Sequence, residues 1–483
     1  MTLPFARLFT DDALSPLLVK ELRHNLRTRA FLSFFIISQV LLVIFVLISL
    51  MAMIDGRSGG RDSDGFFYFM EGLVFLCIIP LSALGAVSSE IRANTLEPIF
   101  LTHLSAWRIV WGKWAAYMAQ GFLFLCAILP YVVLRYFLGG VNVLDDLLVL
   151  ANMYLASSVL IAAAVCLSAF NLRFLLPVLV ILLIFGAGGI IPAILYSLTG
   201  SRSGTSVGGS LWVTLLPLYL ALPLLISGFL AAGASKIAPL AENYSTLKRL
   251  SCLGLFVPVL VTLWAKGSPE TAFVLALMIL VLSCLDALNE ETRLMHTVYT
   301  PFARWGWPGR LAGLFLYPGW VSGVLYTVAC CSLILCFISL NYGIKMTHWL
   351  AILSLAGTLL FPLAVIKLFV PRWKRTLPFY ISIQVGVASL TAVVGIADGI
   401  LSGSFKELFS FFPLTCLIFS ASNTFDEDEA LGWTLVQCGV LFLILTVLFI
   451  RMLPVLALIR QLEKGPLPEP PAPTPPPLPP GLK

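Results

Sequence analysis

Charge is scarce in this chain. Only 11% of its 483 residues are Asp, Glu, Lys or Arg, 59% are hydrophobic, and the mean hydropathy is +0.98. A soluble domain carries about 25% charged residues, so the composition excludes a water-facing globule. Histidine is also rare, and His24, His103, His296 and His348 show no metal-ligand spacing. The ten cysteines, among them Cys77, Cys126, Cys166, Cys330, Cys331 and Cys438, sit in or beside apolar runs. They form no disulfide framework and read as small residues at membrane depth. A P-loop is missing as well: the glycine-rich 200–210 has no Lys, and Gly112-Lys113 has neither the preceding Gly nor a following hydroxyl. No catalytic cluster stands out, and the acids Asp426, Glu427, Asp428 and Glu429 read as a solvated turn. The chain is therefore not expected to be an enzyme, to hold a cofactor or metal of its own, or to bind nucleic acid.

Long apolar runs are what it has. A bilayer core of roughly 30 Å needs about 20 apolar residues per helix, and lipid gives backbone amides no partner outside a helix or closed barrel. Runs of suitable length fall at 31–54, 66–87, 114–138, 147–170, 174–198 and 211–234, then at 250–265, 271–288, 320–340, 350–368, 379–397 and 431–450. An all-α polytopic membrane protein with about 12 transmembrane helices is expected. The run 409–420 is short and contains Pro413, so it reads as re-entrant. The first run begins only at residue 31 and lacks a small-residue cleavage site, so it reads as a retained helix and not a signal peptide.

Basic residues favour cytoplasmic loops, which puts both termini on the cytoplasmic side of a plasma or inner membrane. Asp55, Asp62, Asp64, Asp145 and Asp146 then fall outside. Glu71 and Arg135 lie near span ends, where long side chains reach the interface, and are expected to snorkel.

Two pseudo-repeated six-helix units follow from landmarks about 200 residues apart: Glu90 with Glu290, Thr102 with Thr300, Gly112-Lys113 with Gly309-Arg310, and Arg173 with Arg372. The expected organisation is a connecting helix in 1–30, permease units in 31–236 and 237–464, the second with a re-entrant segment near 404–422, and a proline-rich cytoplasmic tail in 465–483. In the connecting helix Ser15 suits the N-cap and Pro16 the first turn. Leu18, Leu22 and Leu26 form a stripe opposite Lys20, Arg23, His24 and Arg27, suiting the membrane interface. A plain basic anchor explains the same pattern. A weaker counterpart spans 241–250. The tail is a polyproline rod that suits an aromatic groove or is an unpartnered disordered tail.

Polar sequence concentrates in 88–113, SSEIRANTLEPIFLTHLSAWRIVWGK. Glu90, Asn94 and Glu97 recur at spacings that fit one helix face, Pro98 breaks it, Ser105 suits a cap, and Trp107, Trp111 and Trp114 suit the interface. This stretch resembles the segment between the second and third helices of type-2 exporter permeases of the ATP-binding cassette transporters, in Glu90, Thr95, Leu96, Glu97, Thr102, Ser105, Arg108, Gly112 and Lys113. SPLLVKELRHNLRTRAF similarly resembles that family's connecting helix in Pro16, Lys20, Glu21 and Arg27.

The resemblance implies paired six-helix units and a coupling loop docked on a separate P-loop ATPase subunit that binds the ATP. In the second copy the docking residues would be Glu290, Thr300, Pro301, Arg304, Gly309 and Arg310. His103 departs from the family's Pro, and the second copy has ETRLMHTVY in place of T-L-E. The alternatives are an ion-coupled secondary transporter with two six-helix halves and a membrane anchor that recruits an ATPase.

Overall fold

A computed structural model describes residues 16–54, 64–95, 98, 101, 104–137, 143–170, 208–239 and 242–264. It also describes 276, 279–280, 282–284, 286–287, 290, 298–299, 302, 304–341, 346–369, 379–380, 382–387, 389–390 and 427–464. Among these every regular element is a helix, and eight helices are long and apolar enough to cross a membrane. The chain is an all-α membrane protein. The eight coincide with expected spans, and the run 350–368 forms a further, shorter apolar stretch, Gly357–Phe369. The expected spans 174–198 and 271–288 lie wholly or largely outside the described residues, as do the later part of 379–397, the segment 404–422 and the tail.

The chain divides into two compact units. The first holds residues 1–286 and 330–343, so the expected boundary after residue 236 falls inside it. Its helices are α1 (Pro16–Arg27), α2 (Arg29–Ile54), α3 (Asp64–Gly72), a π-helical turn (Leu73–Ile78), α4 (Ile79–Ala83) and α5 (Ser88–Arg92). They continue with α6 (Ala106–Phe137), α7 (Val143–Ala169), α8 (Gly208–Ile237), α9 (Ser245–Gly254) and α10 (Phe256–Trp264).

Helix α7 is the centre of this unit, packed against α8, α6, α4 and the π turn. Small residues permit the approach: a Cβ on Gly233 of α8 would lie 3.2 Å from the Cα of Cys166 in α7, and Ala162, Ala169, Ala231 and Ala234 are fully buried. Such stripes replace the hydrophobic drive that lipid removes. Phe75, Ile79, Val110, Phe124, Leu150, Met153 and Val165 fill the space between.

The second apolar run does not form one regular helix. At Leu73–Ile78 the Ile79 N–H reaches back to the Val74 carbonyl, and Pro80, which has no N–H to return, follows directly. At 84–87 the helix turns, and Ser168 Oγ accepts the N–H groups of Val87 and Ser88 at 2.9 and 3.0 Å. Backbone groups freed by irregularity are thereby satisfied within the protein, as lipid requires.

The second unit contains residues 287–329 and 344–483. Helix α11 (Gly306–Leu316) leads to α12 (Trp320–Asn341), whose later half lies in the first unit; α13 (Met346–Phe369) packs on α14 (Glu427–Lys464). The apolar run expected at 431–450 continues as one helix to Lys464, about 57 Å long at 1.5 Å per residue, and so outreaches a roughly 30 Å hydrocarbon core.

Candidate functional site: a braced polar end and a buried charge cluster

The stretch 88–113 is helix at both ends. Helix α5 stops at Arg92, and α6 starts at Ala106, so Arg108, Gly112 and Lys113, expected in a loop, belong to a membrane helix. What stops α5 is visible in its last turn. Asn94 takes φ 53°, the Thr95 N–H bonds the Glu90 carbonyl at 3.2 Å, and the Asn94 N–H bonds the Ile91 carbonyl at 3.4 Å. This is the left-handed termination that Asn tolerates better than most residues. Glu90 and Asn94 therefore do not share a helix face as expected, and Glu97 of the same pattern lies outside the described residues. The left-handed conformation at Asn94 outcompetes helical periodicity.

The start of α6 is capped by three side chains. Ser105 Oγ accepts the Arg108 N–H at 3.4 Å, as its position before the helix suggested. Glu242 Oε2 accepts the Ala106 N–H at 3.2 Å, and the Tyr244 hydroxyl accepts the Trp107 N–H at 3.4 Å while donating to Glu242 at 2.7 Å. A carboxylate there meets both unsatisfied amides and the positive end of the helix dipole. Glu242 was not singled out in the sequence. Its signal was an acid in the polar segment between two apolar runs, the expected counterpart of the connecting helix.

Lys113, only 3% exposed, gathers the rest. Its Nζ lies 2.8 Å from Glu90 Oε1 and 3.3 Å from Glu21 Oε1, joining α6 to α5 and α1. Three residues picked from sequence thus meet, although facing one another and not outward. Helix α1 starts at Pro16 as expected, but its buried face is not the leucine stripe: Glu21 and Asn25 are buried while Leu18, Leu22 and Leu26 are only half-buried. The ammonium of Lys113 draws the polar side of the helix inward. Lys20, Arg23, His24 and Arg27 remain exposed, as do Thr95 and Arg108, while Gly112 is buried. Glu97, Thr102 and Ser15 lie outside the described residues. Nearby, Trp107, Trp111 and Trp114 run along one side of α6 with rings 6.0 and 4.7 Å apart.

Helix α9 repeats the bracing with charges exchanged. Lys248 and Arg249 both pair with Asp286, the latter at 2.5 Å, and all three are buried. In the second unit Glu290 Oε2 accepts the Gly319 N–H at 2.7 Å at the start of α12. Gly309 is buried where a Cβ would come within 2.1 Å of the Phe302 carbonyl oxygen. Arg310 Nε stands 3.7 Å from Glu463 Oε2, and the Tyr317 hydroxyl donates to Glu463 Oε1 at 2.6 Å. Burial, then that hydrogen bond, raises the Tyr317 phenol above its ordinary range. Arg304 is exposed, and Thr300 and Pro301 lie outside the described residues.

A second polar cluster lies among the transmembrane helices. Arg135 Nη1 meets Asp146 Oδ2 at 2.9 Å; the Tyr68 hydroxyl also donates to Asp146, and the Arg135 guanidinium covers the Phe67 ring at 4.1 Å. Arg135, Asp146 and Glu71 are 1 to 2% exposed. The expected snorkelling of Arg135 and Glu71 is overturned, and Asp146, expected in a segment between spans, is buried at the start of a membrane helix. Asp146 lies within α7, and a counter-ion inside the bundle offsets the burial of Arg135 more directly than reaching for water. Among the described residues no group of His, Cys, Asp and Glu could hold a metal.

Compared with protein families, curated proteins and solved structures, the chain matches none.

Proposed function

We propose that this chain is the membrane-spanning permease of a type-2 ATP-binding cassette exporter, moving a substrate across the membrane with energy from a separate P-loop ATPase. The observation that carries this reading is the Glu21–Lys113–Glu90 brace, which ties α1, α5 and α6 around the short connector 93–105. A force applied to that connector passes into two transmembrane helices and the surface helix together. The resemblance of 88–113 and of the connecting helix supplies the partner's class. On this reading Thr95 and Arg108, both exposed, face the ATPase, while Glu90 and Lys113 transmit.

Affinity purification from mild detergent tests it: a P-loop ATPase is expected with the chain, and Thr95→Ala with Arg108→Glu should release it while leaving thermal stability unchanged. Reproducible absence of any ATPase would refute the reading. Ion-coupled secondary transport is favoured by a different observation, the buried Arg135, Asp146 and Glu71, since ionisable groups at membrane depth often mark ion pathways. Substrate uptake into proteoliposomes under a proton gradient without ATP would support it.

A further inference from the structure

Between α2 and the α3–π segment runs an apolar groove of about 190 Å³, lined by Phe34, Ile37, Leu42, Phe45, Phe67 and Val74 and, as its only ionisable group among the described residues, Glu71. Glu71 is 2% exposed and its Oε2 has no hydrogen-bond partner among the described residues. Buried polar atoms are nearly always satisfied, and leaving one unmade is costly. The neighbouring Arg135 is engaged by Asp146. The π turn begins two residues after Glu71, and such turns recur at functional sites. The groove exceeds the roughly 150 Å³ cavity that accommodates benzene. Its α2 wall carries exposed apolar residues, Phe34 and Ile37 among them.

We propose that this groove binds a lipophilic amine, its apolar body against Phe34, Phe45 and Phe67 and its ammonium donating to Glu71. Charge complementarity selects the class. A hydrocarbon or an anionic amphiphile would bring no donor to Oε2, whereas an ammonium supplies the missing hydrogen bond and its charge favours the ionised form of a buried carboxyl. This goes beyond the proposed export function and does not depend on an ATPase.

The test is equilibrium binding of 4-phenylbutylamine, 4-phenylbutanol and butylbenzene to the full chain in phosphatidylcholine nanodiscs, corrected against empty discs. The amine should bind at least about tenfold tighter than the other two, the size of one hydrogen bond to a charged group. Glu71→Gln, which keeps the shape, should abolish that preference and leave the alcohol unchanged. Ile37→Trp, at an exposed lining position, should weaken all three by narrowing the groove. Equal binding of amine and alcohol, unchanged amine affinity in Glu71→Gln, or no saturable binding of any probe would each overturn the proposal. If Glu71→Gln does not fold, the probe comparison in the unaltered protein and the Ile37→Trp result decide it.

Discussion

Glu90 Oε1 and Lys113 Nζ, 23 positions apart in sequence, meet at 2.8 Å, and Glu21 Oε1 stands 3.3 Å from the same nitrogen. One buried ammonium therefore answers two carboxylates. Removing it leaves two negative charges in one confined site, whereas removing either carboxylate leaves a pair intact. Lys113→Met should cost about 3 to 5 kcal/mol of stability, and Glu90→Gln markedly less. Thermal unfolding in detergent checks the order, and equal losses would show that the three groups do not act as a unit.

The caps on α6 make a more local prediction. Glu242→Ala strips an acceptor from the Ala106 amide and disturbs the Tyr244 hydroxyl bound to the next one. A loss of about 1 kcal/mol is expected, the usual value of a helix cap. Hydrogen exchange should accelerate at Ala106 and Trp107 and remain unchanged in the middle of α6. Ser105→Ala should affect mainly the Arg108 amide.

Arg135 and Asp146 allow breaking a pair to be separated from replacing it. Arg135→Met removes the counter-ion of Asp146 and leaves that carboxylate buried. The expected loss is about 3 to 5 kcal/mol, whereas Arg135→Met combined with Asp146→Leu should recover most of it. Unfolding titrations of the two singles and the double give the coupling directly. A double variant no better than the sum of its singles would mean that the charges are not compensating each other.

Gly309 lies near the start of α11, packed under the chain that precedes it. A Cβ there would meet the Phe302 carbonyl at 2.1 Å and the Trp305 Cβ at 2.6 Å, and both obstacles are main chain or its first side-chain atom. They cannot rotate away. Gly309→Ala should therefore destabilise the second unit by about 1 to 3 kcal/mol, while Gly432→Ala, with open space around its position, should change little.

Composition and run length disclosed the helical membrane fold because lipid allows few other solutions. Ser105 as a cap and Pro16 as the first turn of α1 were readable because both roles depend on adjacent residues alone. Asn94 departs from its expected helical place because the periodicity of its neighbours carries no information on the left-handed conformation that ends the helix there. Glu21, Lys113 and Glu90 were each selected from the sequence, yet their mutual contact was not, since it depends on how α1, α5 and α6 pack. Asp146 was hidden for the same reason: an acid at the end of an apolar run looks identical whether it meets water or an arginine.

Tyr299 gives the second unit a testable response to alkali. It is fully buried, its ring meets Tyr317 edge-on at 4.8 Å, and burial, then the charge of Glu290, pushes its phenol from 10 up to about 12. Above pH 10 the unfolded chain releases this proton while the folded unit retains it, so unfolding becomes progressively easier until about pH 12. The folded state holds the full contribution below pH 10 and loses it through that window. Tyr299→Phe, which has no proton to lose, should flatten that part of the stability profile relative to the unaltered protein. Thermal unfolding in detergent between pH 9 and 12 would reveal the difference, and superimposable slopes for the two proteins would refute it.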